Sequence, residues 1–439
     1  MIFFDREKEI ARLREIRDLS AGSAQFTVIT GRRRIGKTML ALKAFAEKPT
    51  LYFFVARKAE SFLCQDFQHE ITEKLGIPVL GEIHSFSKLF EYLMLVSQQR
   101  SFTLIIDEFQ EFYKVTPSVY SDIQHHWDLH SGKSKINLIV CGSVYSLMHK
   151  IFENQKEPLF GRMTANMSIK PFEVAVLDEI LRAYNPNYTA EDLLALYAFT
   201  GGVPKYVQLL MDNGACNYEK ILSYIIREDS IFINEGKNML IEEFGTEYAI
   251  YFTILSAIAR GENTRAKIEA VVKREIGGYL TKLEHDYGLI SKTLPLFSKI
   301  ETKNVRYILD DNFLIFWFRF IYKYGYMLEV GNFDGLRKII DRDYKFFSGG
   351  MLEKFFRAKI IQTQSITNIG SYWDRKGENE IDIIAVNEFE KKAQIIEIKR
   401  NAEKISIELL KMKSVQFLQT TDRLNGYRIT YSGLSMKDM

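Results

Sequence analysis

Cysteine is nearly absent from this chain of 439 residues. The three cysteines, Cys64, Cys141 and Cys216, are odd in number, far apart and never in a C-x-x-C pair. This pattern indicates neither a disulfide framework nor a zinc site, and it favours a reducing compartment. The N-terminus meets charge at Asp5 and Arg6 and lacks the apolar core of a signal peptide, so we expect a cytoplasmic protein.

Long hydrophobic runs are missing as well. The most apolar window, residues 313–318, is followed by Arg319 and then by Lys323. It falls short of the ~20 apolar residues that a membrane-spanning helix needs, so no membrane partner is expected. The net charge of +3 comes from 59 basic and 56 acidic residues, a balance too even to indicate a nucleic-acid partner by itself.

Proline is also rare, and composition marks no linker. The eight prolines all lie at or before Pro295, and no repeat or low-complexity tract is present. Yet 439 residues are too many for one core, and a hydrophobic share of 46% can bury several. We therefore expect a folded, multidomain protein.

One motif is complete at every fixed position. The phosphate-binding pattern G-x-x-x-x-G-K-[ST] fits the run Gly31, Arg32, Arg33, Arg34, Ile35, Gly36, Lys37 and Thr38. Glycines let backbone N–H groups curve around phosphate oxygens, Lys37 can reach the β and γ phosphates, and the Thr38 hydroxyl can ligate Mg²⁺. A short strand at 26–30 and an amphipathic helix at 39–45 flank the loop in the required order. The run predicts a site for ATP and Mg²⁺ rather than a plain glycine turn.

Two carboxylates end a second apolar stretch, residues 102–106. Such a strand emerges at the edge where open α/β sheets bind their ligands. This is typical of a Walker B strand, in which Asp107 holds the Mg²⁺ shell and Glu108 orients and polarises the attacking water. The alternative is an acidic strand end that merely faces solvent.

Two further residues are candidates for the same site. Ser143 follows the apolar strand 136–141 and can sense the γ-phosphate or the water, unless it belongs to an ordinary Gly-Ser turn. Arg162 precedes a strand at 164–169 and can stabilise transferring phosphate in its own subunit or in a neighbour's, which would imply a homo-oligomer. An ordinary surface arginine is the alternative.

Together these motifs resemble the archaeal-type ATPase family, part of the AAA-like P-loop group with an added catalytic glutamate. The resemblance covers roughly the first half of the chain. It implies a five-stranded sheet with the P-loop strand central, followed by a helical lid. It also implies that Arg6 and Glu9 lie near the nucleotide base, and that residues 202–205, Pro204 among them, approach the nucleotide from the lid. The matching segments are residues 4–9, 31–38, 104–110, 141–143, 159–162 and 200–206.

Residues from about 248 to 309 look like a winged helix, with three helical stretches and two strands. The stretch from Glu262 to Glu284 contains five basic and four acidic residues. This nearly even balance does not give the basic surface that DNA binding requires. DNA binding and packing between domains therefore both stay open.

A second polar constellation lies near the C-terminus. Residues 381–386 and 394–399 predict two paired strands, and alternation places Glu397 and Lys399 on one face with Asp382 beside them. Two carboxylates bind a hard cation, and a lysine can serve a phosphate. This resembles the PD-(D/E)XK nuclease fold, in which a helical acidic residue, here Glu353, completes the metal site. A solvated polar strand face is the alternative.

His126 and His130 are spaced to share one helix face. Since no third ligand at a recognisable spacing accompanies them, we interpret them as surface histidines.

The predicted architecture is α/β and multidomain. It comprises a P-loop ATPase core (1–172), a helical lid (173–240), a winged helix (241–320), a linker (321–344) and a C-terminal α/β nuclease-like domain (345–439). Two hypotheses follow. The chain is either an ATPase that controls a metal-dependent nuclease acting on DNA or RNA, or an ATP-gated switch whose nuclease-like domain is silent.

Overall fold

A computed structural model describes residues 4–78, 81–299 and 301–439 of the chain. Residues 1–3, which belong to the segment used for the localisation prediction, lie outside these ranges. The described residues divide into two units, one from Phe4 to Pro171 and one from Phe172 to Met439. Within the described ranges, no helix combines the length and the apolar character that crossing a membrane requires.

The first unit is built on a sheet of parallel strands in the order β2-β3-β4-β1-β5. These strands are β1 (Gln25–Thr30), β2 (Thr50–Phe54), β3 (Phe102–Asp107), β4 (Ile136–Cys141) and β5 (Ala165–Ser168). β3 and β4 are buried along their whole length, as expected for strands covered on both faces. The predicted central position of the P-loop strand is wrong, because β1 lies between β4 and the short, half-exposed edge strand β5.

Helices cover both faces of this sheet. They are α1 (Glu7–Leu19), α2 (Lys37–Ala44), α3 (Glu60–Leu75), α4 (Phe86–Val96), α5 (Phe112–Val115), α6 (Val119–His130) and α7 (Tyr145–Glu153). Neighbouring residues of β1 serve opposite cores: Val28 packs in a cluster with α3, α4 and α6, whereas Ile29 packs in a cluster with α1 and α2. Since every loop after a strand then emerges at the same edge, the P-loop, Asp107, Glu108 and Ser143 lie at that edge.

The second unit begins with a run of helices. They are α8 (Val174–Tyr184), α9 (Ala190–Thr200), α10 (Pro204–Asp212), α11 (Tyr218–Ile225), α12 (Ile231–Phe244), α13 (Tyr248–Ala259), α14 (Arg265–Val272) and α15 (Gly277–Thr281). The antiparallel pair β6 (Ile290–Thr293) and β7 (Arg306–Leu309) follows. Three helices and a two-stranded hairpin thus occur in the expected order, while the assignment as a winged helix stays a prediction.

The rest of this unit carries a separate mixed sheet. Its helices are α16 (Asn312–Phe316), α17 (Gly325–Glu329), α18 (Phe333–Thr363) and α19 (Ile407–Gln419), and its strands are β8 (Asn368–Trp373), β9 (Glu380–Asn387), β10 (Lys392–Ile398) and β11 (Arg428–Leu434). The strand order is β11-β10-β9-β8, with β10 antiparallel to β9 and parallel to β11. The predicted α/β, multidomain fold class is confirmed.

Helix α18 crosses one predicted boundary, the one between the linker and the C-terminal domain. It runs without a break for 31 residues, about 46 Å, from inside the predicted linker 321–344 into the predicted C-terminal domain. Leu336, Ile340, Tyr344, Phe347 and Met351 are buried along it at helical spacing, so a continuous apolar stripe holds the helix together. Much of the predicted linker 321–344 is thus helical, and all the predicted domain boundaries stay predictions.

Candidate functional site

The phosphate-binding loop joins β1 to the first turn of α2. Gly31 has φ +146°, and a Cβ there would lie 2.6 Å from the carbonyl oxygen of Ile169. Gly36 has φ +90° and precedes α2, with no atom within 4 Å of the place a Cβ would take. The Ile35 side chain is buried in the core beside β1, and this packing holds the loop against the sheet. The loop is thus curved by its glycines and fixed by one apolar side chain.

Lys37 lies at the start of α2 and is almost fully buried. Its Nζ donates to the carbonyl oxygens of Gly31 at 2.8 Å and Arg32 at 3.1 Å, so the ammonium is held across the loop. Arg32, Arg33 and Arg34 are all half-buried in the same loop, and Arg34 takes a left-handed φ of 67°.

Thr38 and Asp107 meet at the edge of the sheet. The Thr38 Oγ1 donates to Asp107 Oδ2 at 2.6 Å, and the hydroxyl of Tyr52, from β2, donates to the same oxygen at 2.9 Å. Burial, followed by the charge of Asp107, raises the pKa of Tyr52 and keeps it a donor. A hydroxyl and a carboxylate are hard oxygen donors, so this pair fits the chemistry of Mg²⁺.

Glu108 turns sharply away from β3. Its φ of 53° is left-handed, a strained conformation for a residue with a side chain. Ser143 Oγ donates to Glu108 Oε2 at 2.7 Å, and the amide of Gln110 donates to the same oxygen. A Cβ on Gly142 would lie 2.3 Å from Met148 Sδ and 2.5 Å from Gln110 Oε1, so any larger residue would have to displace both side chains. Two donors from two loops therefore fix the carboxylate.

Arg162 lies at the other end of the sheet. It precedes β5, whereas the P-loop follows β1, and these strands run parallel. Its guanidinium pairs with Asp128 of α6 at 3.1 Å and donates to the carbonyl of Phe160. The predicted role at the phosphate site of its own subunit is thus not supported, because the strands separate it from the loop. A role in a neighbouring subunit stays a prediction.

Arg6 and Pro204, the two remaining residues expected to contact the nucleotide, lie in different units. Arg6 precedes α1, is buried, pairs with Glu9 at 3.0 Å and donates to the carbonyl of Lys170. Pro204 is the first residue of α10 in the second unit. Contacts of Arg6 and Pro204 with a nucleotide stay predictions.

The structure brings Asp382, Glu397 and Lys399 together in the second unit. Ile396 pairs with Ile383, which places Glu397 opposite Asp382 one residue further along the hairpin. The Nζ of Lys399 lies 3.4 Å from Asp382 Oδ2 and 3.3 Å from Glu397 Oε1. Asp382 also accepts from the backbone N–H of Ile398 at 2.7 Å.

Glu353 joins this cluster from α18. Although Glu353 as a whole residue is exposed, loss of water around its carboxyl group and then the charge of Asp382 raise its pKa to about 8. Burial likewise raises the pKa of Asp382. Among the described residues, Glu353, Asp382 and Glu397 do not form a group whose oxygens all lie within 4.8 Å of one another. The ammonium of Lys399 lies between two of them.

Sequence reasoning missed or misjudged three side chains. Tyr52 belongs to no motif, and its hydrogen bond to Asp107 depends on the pairing of β2 with β3. Gln110 lies in the quoted Walker B segment, but its contact with Glu108 depends on a turn. The interpretation of His126 as a surface histidine is wrong, because it is 8% exposed and packs beneath α4.

Two protein families match separate parts of the chain, and one relative matches most of its length. Residues 3–210 match a family of ATPase domains predominantly from Archaea, and residues 317–411 match a family of archaeal and bacterial proteins of unknown function. An uncharacterized protein of Methanocaldococcus jannaschii is 31% identical over 408 residues, which cover 91% of this chain and 87% of that protein.

Two solved structures resemble it in fold. The Walker-type ATPase PABY2304 of Pyrococcus abyssi aligns with a TM-score of 0.55 at 21% identity, over 72% of this chain and 96% of that one. The ORC2 protein of Aeropyrum pernix, determined as ADPNP and ADP complexes, aligns with a TM-score of 0.50 at 14% identity, over 76% of this chain and 94% of that one. This chain therefore belongs to the same family as the Methanocaldococcus protein and carries an archaeal-type P-loop ATPase domain joined to a C-terminal domain of unknown function.

Proposed function

We propose that this protein hydrolyses ATP with Mg²⁺ at the P-loop and that this cycle controls a metal-dependent, nuclease-like site in its C-terminal domain. The observation that carries the ATPase proposal is the fixed carboxylate of Glu108. It is held by Ser143 and Gln110 at the sheet edge where Thr38 bonds to Asp107. A bound metal ion, in this arrangement, would screen the phosphate charge.

Each residue of the first site then has one task. Backbone N–H groups of the loop and the Lys37 ammonium bind the phosphates, Thr38 and Asp107 hold Mg²⁺, and Glu108 accepts a hydrogen bond from the attacking water and polarises it. Ser143 keeps the acceptor oxygen of Glu108 in place, as a positioning residue.

Lys37→Ala should abolish binding of ATP with Mg²⁺. A methyl group cannot offset the phosphate charge, and it also loses the two hydrogen bonds to Gly31 and Arg32 that hold the ammonium across the loop. Isothermal titration with ATP and Mg²⁺ measures the loss. Lys43→Ala, an exposed lysine on the same helix, is the matched control and should bind as wild type. A wild-type protein without affinity for ATP would refute the proposal.

Glu108→Gln should still bind ATP, but turnover should fall by about two orders of magnitude or more. The amide keeps the size of the side chain and loses the charge that polarises water. Steady-state phosphate release and nucleotide titration, run in parallel, separate the two effects. Glu153→Gln removes an exposed carboxylate that pairs with His149 and should leave turnover unchanged. Full turnover in Glu108→Gln would assign the water to another group.

The C-terminal proposal rests on the meeting of Asp382, Glu397 and Lys399 in one cluster. Because Lys399 lies between the two carboxylates, a divalent cation must displace its ammonium, which is then free to face a phosphate. DNA or RNA is the proposed substrate class, and Glu353 would support the metal from α18. The competing proposal is a silent nuclease fold in which Lys399 neutralises the carboxylates and ATP turnover gates partner binding.

Asp382→Ala should lose Mn²⁺ binding and cleavage together, whereas Lys399→Ala should retain the metal and lose only cleavage. Asp382→Ala removes a proposed metal ligand, whereas Lys399→Ala removes the ammonium that competes with the metal. Calorimetry with Mn²⁺ and assays on plasmid, single-stranded DNA and RNA measure the two properties. Lys392→Ala is the control. It removes a lysine at the start of β10 whose ion pair with Glu390 is exposed, and it should leave both properties unchanged. A folded wild-type protein that neither binds Mn²⁺ nor cuts would favour the silent switch.

A route for control also lies within the second unit. Arg400 follows Lys399 directly, and its guanidinium bonds to Glu191 in the first turn of α9 at 2.5 Å and to Ser348 of α18 at 2.6 Å. Helix α9 ends at Thr200, just before residues 202–205, the segment expected to approach the nucleotide. We propose that movement of α9 reaches the C-terminal cluster through Arg400.

Arg400→Ala should therefore abolish any change in Mn²⁺ affinity that ATP causes, while ATP binding itself stays at the wild-type level. Titrations of Mn²⁺ with and without a non-hydrolysable ATP analogue give this comparison. Arg342→Ala, which removes an exposed pair with Asp343 on α18, should keep the effect. Equal ATP dependence in Arg400→Ala and wild type, or none in wild type, would rule this route out.

A further inference from the structure

Three potential metal ligands lie together on the first unit, away from the P-loop motifs. They are Glu91 of α4 and His126 and His130 of α6, and their ligand atoms all lie within 4.8 Å of one another. The two histidines are four residues apart, so one helix face presents both. Their rings are nearly parallel, at 11°, with centroids 6.4 Å apart. The third ligand comes from another helix, 35 residues earlier in the chain.

Among the described residues, the contacts of His126 leave one of its ring nitrogens available to a metal ion. It is almost buried, its Nε2 lies 3.1 Å from Ser87 Oγ, and no described residue hydrogen-bonds to its buried Nδ1. A metal-bound histidine shows this division, with one nitrogen on the ion and the other hydrogen-bonded.

We propose that Glu91, His126 and His130 bind a divalent metal of the zinc type and that the ion ties α4 to α6. Two imidazoles and one carboxylate suit Zn²⁺, whereas Mg²⁺ and Ca²⁺ prefer oxygen ligands alone. Zn–N and Zn–O bonds of 2.0–2.1 Å place tetrahedral ligands about 3.4 Å apart, so each ligand atom needs to shift by less than about 1 Å. Three protein ligands leave the fourth position for water.

The position of these helices gives the ion a structural effect. Helix α4 leads into β3, and α6 lies between the Asp107–Glu108 turn and β4. Ser87 of α4, which contacts His126, would support the metal site from the same helix. An ion here would therefore fasten together the two helices that flank the strand carrying the candidate catalytic carboxylates.

The test is Zn²⁺ titration of the full-length protein after removal of metals by a chelator. The wild type should bind one equivalent that His130→Ala and Glu91→Gln each weaken by about tenfold or more. Co²⁺ in place of Zn²⁺ should give the visible absorption of a four-coordinate site in the wild type alone. These two variants are preferred over His126→Ala because His126 is buried and its loss can disturb folding.

His149→Ala is the matched control. His149 also has a carboxylate four residues away, with its Nε2 2.9 Å from Glu153, but it has no third ligand among the described residues. Zn²⁺ should raise Tm, and a chelator should reverse the shift, in the wild type and in His149→Ala but not in His130→Ala. If Zn²⁺ leaves Tm unchanged in the wild type, or if His130→Ala and Glu91→Gln retain the wild-type affinity, the proposal is overturned.

Discussion

The hydrogen bond between Thr38 and Asp107 is the contact on which the first unit depends. It joins the first turn of α2 to the end of β3, two segments 69 residues apart, at 2.6 Å. The bond exists because parallel strands bring their carboxyl ends to one edge of the sheet. The same geometry delivers Tyr52 to Asp107 from β2 and Ser143 to Glu108 from β4. One constraint on strand direction therefore assembles the whole candidate site.

In the second unit, a long helix and a hairpin together supply the residues of the polar cluster. Helix α18 carries Glu353 toward the polar cluster and Ser348 toward Arg400, while the β9–β10 hairpin presents Asp382 and Glu397. Loss of water around the carboxyl groups is the main cause that raises the pKa values of Glu353 and Asp382, and the ammonium of Lys399 lies close to both Asp382 and Glu397.

Local sequence patterns predicted several features because these depend on few neighbours. Glycine positions set the curvature of residues 31–38, and continuous apolar runs gave strands β3 and β4. Period-two alternation placed Glu397 and Lys399 together, since neighbouring strand residues point to opposite faces. Other features depend on distant packing. The order of the strands puts β1 beside the edge strand β5, and no local pattern reports this order.

The sequence by itself determined the fold class, the phosphate loop, the acidic end of β3 and the polar alternation in β10. In each case a short pattern of side-chain size, polarity and backbone freedom is enough. Only the tertiary structure decided that Gln110 supports Glu108, that α18 runs through the expected linker, and that Glu91 meets His126 and His130. These outcomes depend on which helices and turns pack against each other, a property of the whole chain rather than of any one stretch.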